Sequence, residues 1–273
     1  MMSRYGVAVA SSLPFTCSMH SDRSPHGLSP PSLRRRALAL NYKPTATDTF
    51  KLIYGRAYRS PNAYELYYTI PGPGGQSGNP SLSAEHITTT EFVYDRALRE
   101  NAHATVSLFH YDVRDLITET LDPSGAYVFE NVDRAQARGV ALAYEQNIAS
   151  IAKIRASYSW QLARDGDTGA VLQNSPRHLA KVNVTVPLFH NAARVGAEMR
   201  CASARLAQVG SAAGYCLANV TVGSDRAIPH ANVSFSVYNV TDKRYADPAG
   251  PNFTQSVIAQ QSRTFLLKLV YGF

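Results

Sequence analysis

From Arg36 onward, apolar and polar residues alternate with a period of two, interrupted at intervals by turn-forming residues, which is the pattern of β-strands that present one face to an apolar medium. Ile154, Ala156, Tyr158, Trp160 and Leu162 oppose Lys153, Arg155, Ser157, Ser159 and Gln161. Ala180, Val182, Val184, Val186 and Leu188 oppose Leu179, Lys181, Asn183 and Thr185, and Val233, Phe235 and Val237 oppose Asn232, Ser234 and Ser236. In the last stretch Phe265, Leu267, Leu269, Tyr271 and Phe273 share a face, with Thr264, Leu266, Lys268, Val270 and Gly272 on the other. Eleven strands are predicted, at 36–43, 49–58, 86–97, 102–120, 126–147, 152–163, 177–187, 192–205, 214–223, 230–240 and 262–273. The fourth is mixed, with Val106 and Leu108 on one parity and Phe109 and Tyr111 on the other, which predicts a bulge or weak register there.

The links sort into two kinds. Those at 44–48, 98–101, 148–151, 188–191 and 224–229 are tight, whereas those at 59–85, 121–125, 164–176, 206–213 and 241–261 are mostly long, and the two kinds alternate. A β-sandwich would also alternate its side chains, but sorting short turns to one rim and long loops to the other is a property of membrane barrels. No run approaches the roughly 20 apolar residues of a membrane helix, while a barrel strand crosses with about 10 alternating ones. The predicted fold is therefore all-β, an antiparallel up-and-down transmembrane β-barrel. Residues 1–35 stand apart: Pro14, Pro25, Pro30, Pro31 and many serines leave no period, so loop or disorder is expected. Arg4 precedes an apolar run at 6–15, but Ser11, Ser12 and Pro14 interrupt it and no clear cleavage site follows, so it does not make an ordinary secretory signal.

A formal net charge of +7 raises the question of nucleic acid, yet the basic residues are spread singly along the strands and cluster only at Arg34, Arg35 and Arg36. That distribution fits rim and lumen positions and excludes a nucleic-acid face. The three cysteines have no C-x-x-C spacing and the eight histidines no ligand spacing, so neither a metal site nor a cofactor is expected. Cys201 and Cys216 flank the link 206–213 almost symmetrically on apolar parities. One register sets them face to face and a one-residue slip points them apart, so a disulfide stays open. The segment GPGGQSG at 72–78 lacks a following Lys-Ser or Lys-Thr and reads as a flexible loop. For an outer-membrane hydrolase, Ser159 or Asp165 would have to meet His178, and no nucleophile motif surrounds them.

The strings FKLIYGRAYRSPNAYELYY (50–68), NPSLSAE (79–85), NVDRAQARGV (131–140), NSPRHL (174–179) and YNVTDKRYADP (238–248), in that order and followed by the aromatic-ended last strand, resemble the barrel of TonB-dependent receptors over residues 36–273. The resemblance implies eleven strands of a 22-stranded barrel that a plug normally fills, and uptake of a scarce ligand such as a ferric siderophore or cobalamin. It departs from the family at Ala141, where Glu is frequent, and in lacking the plug and first barrel half, so that TonB would act only through the missing plug. We therefore expect a truncated or frameshifted receptor product, inactive alone, with residues 1–35 a non-native leader. The implied partners are outer-membrane lipid and the barrel assembly machinery, which would read Phe265, Leu267, Leu269, Tyr271 and Phe273. The implied ligand residues are Arg59, Tyr64, Glu65, Tyr67 and Tyr68 at the mouth of the longest loop, then Arg164 and Asn252. Another reading of the first five is that the tyrosines form an outer aromatic girdle and Arg59 simply pairs with Glu65.

Overall fold

The computed structural model describes residues 36–72, 74–149, 151–189, 192–228, 230–250 and 253–272, so the expectations for residues 1–35, for Asn252 and for Phe273 lie outside the described residues. Eleven long strands follow one another: β1 (Arg36–Tyr42), β2 (Asp48–Arg59), β3 (Glu85–Arg99), β4 (Ala102–Leu121), β5 (Tyr127–Ile148), β6 (Ala152–Asp165), β7 (His178–Leu188), β8 (Ala193–Ala202), β9 (Tyr215–Ile228), β10 (Ala231–Tyr238) and β11 (Thr264–Tyr271). Each pairs antiparallel with the next in chain order, and a two-residue strand, Gln76–Ser77, adds to the start of β5 in parallel. Among the described residues β1 and β11 each have one strand partner, so the sheet is an open meander.

Register carries the alternation across the sheet. Tyr42, Phe50, Tyr94, Val106, Leu142, Tyr158, Ala180, Cys201 and Cys216 form one unbroken rung of directly opposed residues from β1 to β9. A second rung runs Ile154, Val184, Ala197, Val220, Val237 and Phe265. Directly opposed residues share a face, so one face of the whole sheet is apolar. Nothing among the described residues covers it: Leu108 is 48 % exposed and Leu267 is 70 % exposed, and no large side chain among them is fully buried. A sandwich would bury this face between two sheets, so that reading is excluded.

The opposite face is wet and satisfies itself laterally. Thr105 donates to Asp95, Lys153 and Arg155 pair with Glu145, and the Thr221 and Ser236 hydroxyls meet at 2.8 Å. Strand length adds a second feature: β4 and β5 run to 20 and 22 residues, about twice what crosses an apolar layer.

Three expectations change. The mixed parity of β4 reflects neither bulge nor slip at 106–111, where register is continuous; Phe109 turns to the polar face and lies over Gly139, which has no side chain to meet it. The irregularity comes later, between Val113 and Ile117, where Asp115 takes φ 56°. GPGGQSG is not a loose loop, because its own Gln76 exchanges backbone hydrogen bonds with Ile70 and Gly72 and Gly74 supply positive φ. Finally, β9 continues to Ile228, which shortens the tight link expected at 224–229.

Candidate ligand-facing mouth

The longest link opens where β2 ends at Arg59 and closes where β3 begins at Glu85, and these two residues are directly opposed. The Arg59 guanidinium donates from Nε and Nη2 to both Glu85 carboxylate oxygens, at 2.6 and 2.9 Å. From Nη1 it donates to both oxygens of Glu65, at 2.9 and 3.1 Å. Glu65 is 3 % exposed, and burying two carboxylates beside one guanidinium requires further donors. They are present: the Asn62 N–H donates to Glu65 Oε2 and the Ile117 N–H to Glu85 Oε1, each at 2.9 Å.

The sequence S-P-N-A-Y-E sets this up locally. Asn62 caps a short helix α1 (Ala63–Tyr67), accepting from the Glu65 N–H while Glu65 answers the Asn62 N–H, a complete capping box. Tyr64 and Tyr68 then stack at 4.5 Å between ring centroids, and Tyr64 meets Phe129 of β5 edge-on at 6.1 Å. Burial, with a smaller contribution from the Glu119 charge, raises the Tyr64 phenol above its ordinary value. Tyr67 points away, 69 % exposed. The rest of the link is tied to β5: Asn79 donates to the Phe129 carbonyl, and the Ser83 N–H donates to Asn131 Oδ1.

The structure thus brings Arg59, Tyr64, Glu65 and Tyr68 together, with Arg59 and Glu65 engaged by each other and by Glu85. Arg164 stands elsewhere. Its rung runs Arg56, Thr88, Asp112, Gln136, Arg164, which is the face opposite to Arg59, and its guanidinium donates to the Gly169 carbonyl of its own link. Sequence reasoning missed Glu85 and Asn62, although the Asn-x-x-Glu spacing after Pro61 signals the cap.

It also missed a second knot at the same rim. Arg205, in the link after β8, bonds Asn174 of the link before β7 and Asp247 of the link after β10, joining three loops, while the Tyr215 and Tyr245 rings meet beside it at a tilt, 4.5 Å between centroids. Cys201 and Cys216 are directly opposed on β8 and β9 and are disulfide-bonded.

Neither hydrolytic arrangement forms. His178 Nδ1 is 2.7 Å from the Tyr158 hydroxyl on the apolar face, Ser159 lies on the other face, and Asp165 accepts from Thr168. Among the described residues no three His, Cys, Asp or Glu side chains converge as metal ligands would.

Comparison with solved structures shows the same fold. The chain aligns with a mutant of the ferric enterobactin receptor PfeA from Pseudomonas aeruginosa at a TM-score of 0.70 and 20 % identity, covering 88 % of this chain and 40 % of that one. For the copper transporter OprC the values are 0.68, 19 %, 87 % and 39 %, and for the ferric-catecholate import receptor Fiu from K12 E. coli they are 0.64, 20 %, 85 % and 34 %. The chain therefore spans roughly a third to two fifths of the length of these proteins. A profile described as TonB dependent receptor-like, beta-barrel, matches residues 36–240. On that match the chain belongs to the TonB-dependent receptor family, within its β-barrel.

Proposed function

We propose that residues 36–273 form part of the wall of an outer-membrane receptor that imports a scarce ligand of the ferric-siderophore or cobalamin kind, with energy delivered through TonB by a plug domain. The observation that carries this reading is the uncovered apolar face, continuous through register from β1 to β11, backed by a polar face and by long links at one rim. In hydrocarbon each unpaired backbone group costs several kcal/mol, so the free edges of β1 and β11 take further strands, from the same polypeptide or another, before transport is possible. The chain alone is a receptor part and not a transporter. The aromatic face of β11, Phe265 to Tyr271, serves as the signal to the assembly machinery.

Ligand capture falls to the α1 segment. Tyr64, Tyr67 and Tyr68 offer ring faces and hydroxyls there, on a platform that Arg59, Glu65 and Glu85 hold in place.

The test has two arms. Expressed in a Gram-negative host behind an added secretory signal and together with its complementary strands, the chain sediments with outer membranes and leaves them only in detergent; recovery in the soluble periplasmic fraction contradicts the reading. Detergent-extracted protein, joined by its complementary strands, binds one of three probes saturably: a ferric catecholate, a ferric hydroxamate or cyanocobalamin. Tyr64→Ala weakens that binding about tenfold, the scale for losing an aromatic platform; unchanged binding removes α1 from the site.

A further inference from the structure

The mouth is the acidic part of a basic chain. Residues 60–85 and 115–133 together carry seven carboxylates and no Lys, Arg or His, although the whole chain has a formal net charge of +7. These segments are the longest link and the outer part of the β4–β5 hairpin, and Tyr64 of α1 joins them by meeting Phe129. The guanidinium at their base, Arg59, faces Glu65 and Glu85 and is outnumbered by them. Arg114 and Arg134 are both bonded to Asp112, which stands on the face away from Arg59.

One of the carboxylates stands apart. Glu119 is directly opposite Phe129 across β4 and β5, so the two side chains share a face, beside the ring that Tyr64 meets edge-on. Its charge is felt at the Tyr64 hydroxyl. Glu119 is half-buried, and among the described residues no hydrogen bond or ion pair engages its carboxylate. A charge set beside apolar rings loses part of its hydration, and here no cation offsets that loss. Tyr64 and Tyr68, stacked on each other, are both exposed. Ring faces and an unpaired carboxylate are thus offered to the same approaching group.

That combination has a chemical preference. A hard metal ion needs several oxygen ligands at once, and among the described residues no three His, Cys, Asp or Glu side chains converge. An organic cation needs less: it lies over the negative face of an aromatic ring and takes one carboxylate as its counter-charge. The acidic segments around it draw a cation in and hold an anion off.

We infer that this corner of the mouth binds an organic cation, so that the ligand captured at α1 carries an ammonium or guanidinium group, held over the rings of Tyr64 and Tyr68 with Glu119 as its partner. The inference rests on the reading of α1 as the capture site and narrows the ligand class within it. A ferric tricatecholate brings negative charge alone and cyanocobalamin has no ammonium or guanidinium to offer, whereas a hydroxamate chelate can carry a free amine.

The experiment uses the chain joined by its complementary strands in detergent and measures equilibrium binding of a matched pair: a linear ferric trihydroxamate with a free terminal ammonium, and the same chelate with that amine acetylated. A ferric tricatecholate and cyanocobalamin complete the set. The ammonium form binds about tenfold more tightly than the acetylated form, the scale for a cation that gains ring faces and a carboxylate together. Glu119→Gln removes that preference and leaves binding of the acetylated form as it was. Glu130→Gln takes a carboxylate from the other face of the same hairpin and keeps the preference. Circular dichroism confirms that each variant keeps its strands.

Equal binding of the matched pair, or a preference that survives Glu119→Gln, overturns the site. A preference that Glu130→Gln abolishes as well belongs to the general field of the hairpin and overturns it too. Binding of the catecholate or cyanocobalamin with neither trihydroxamate bound keeps α1 as a capture site and overturns the cation. Binding of none of the four refutes the capture reading itself and this inference with it, a distinguishable failure.

Discussion

Phe109 lies directly opposite Gly139, and its ring stands 2.6 Å from where a Cβ at position 139 would be. The same Cβ would collide with the Trp160 carbonyl on the other side. The ring covers bare backbone on the polar face, and glycine is the residue that leaves room for it. Gly139→Val therefore overpacks the contact and destabilises the sheet by about 1–3 kcal/mol. The temperature at which the folded gel band is lost falls accordingly; an unchanged transition means that Phe109 is free to leave.

Glu65 joins the Arg59 cluster to the cap of α1. Glu65→Ala removes two hydrogen bonds to Arg59 and one to the Asn62 N–H at once. Because Arg59 is partly exposed and keeps Glu85, the loss is about 2 kcal/mol, below that for breaking a fully buried pair. Hydrogen exchange quickens across residues 60–84 while β4 and β5 keep their protection. Exchange that quickens equally in the strands would show that the cluster supports the sheet and not the loop.

The sheet was readable from sequence because alternation is a property of every strand taken separately, and one face must be uniformly apolar for the strands to share a medium. The mouth was less readable. Ion pairing between Arg59 and Glu65 is visible in a string of seven residues, but Glu85 is 20 residues further on and reaches Arg59 only through strand pairing. Arg164 and Arg59 look alike as strand-end arginines, and only a count of register across five strands puts them on opposite faces. Phe109 misled for a related reason: parity alone cannot distinguish a slipped strand from an aromatic ring resting on a glycine next door. The disulfide was undecidable until the register of β8 against β9 was known.

With Cys201 and Cys216 opposed on neighbouring strands, the denatured chain without reductant shows two fewer thiols than the reduced chain. The bond closes a segment of 15 residues, which is worth up to about 3 kcal/mol in the loop-entropy account. Reduction lowers the unfolding midpoint on that scale, and an identical thiol count before and after reduction would exclude the bond.

Acid loosens the turn between β4 and β5. The Ser124 hydroxyl and the Ala126 and Ser124 N–H groups donate to Asp122 and hold its carboxyl below the usual value of 3.8. A depressed folded pKa stabilises the turn above the unfolded value and the gain is lost as pH falls through the folded one. Protection of the Ser124 and Ala126 amides, relative to their intrinsic exchange rates, is therefore constant near neutrality and falls only in acid below the ordinary aspartate range. Asp122→Asn removes that dependence. Sensitivity centred near neutrality would assign the turn to another group.

Leu142 and Ala143 are neighbours on β5 and stand on opposite faces of the sheet, the first on the apolar rung with Val106 and Tyr158, the second opposite Thr105 and Ser157. With Cys17 replaced by serine and the disulfide intact, a spin label at Leu142→Cys in reconstituted bilayers is relaxed by dissolved oxygen and not by a water-soluble nickel chelate, whereas at Ala143→Cys the nickel chelate dominates. A label at Leu142→Cys shielded from both, or preferring nickel, contradicts the assignment of the apolar face to lipid and the receptor-wall account with it.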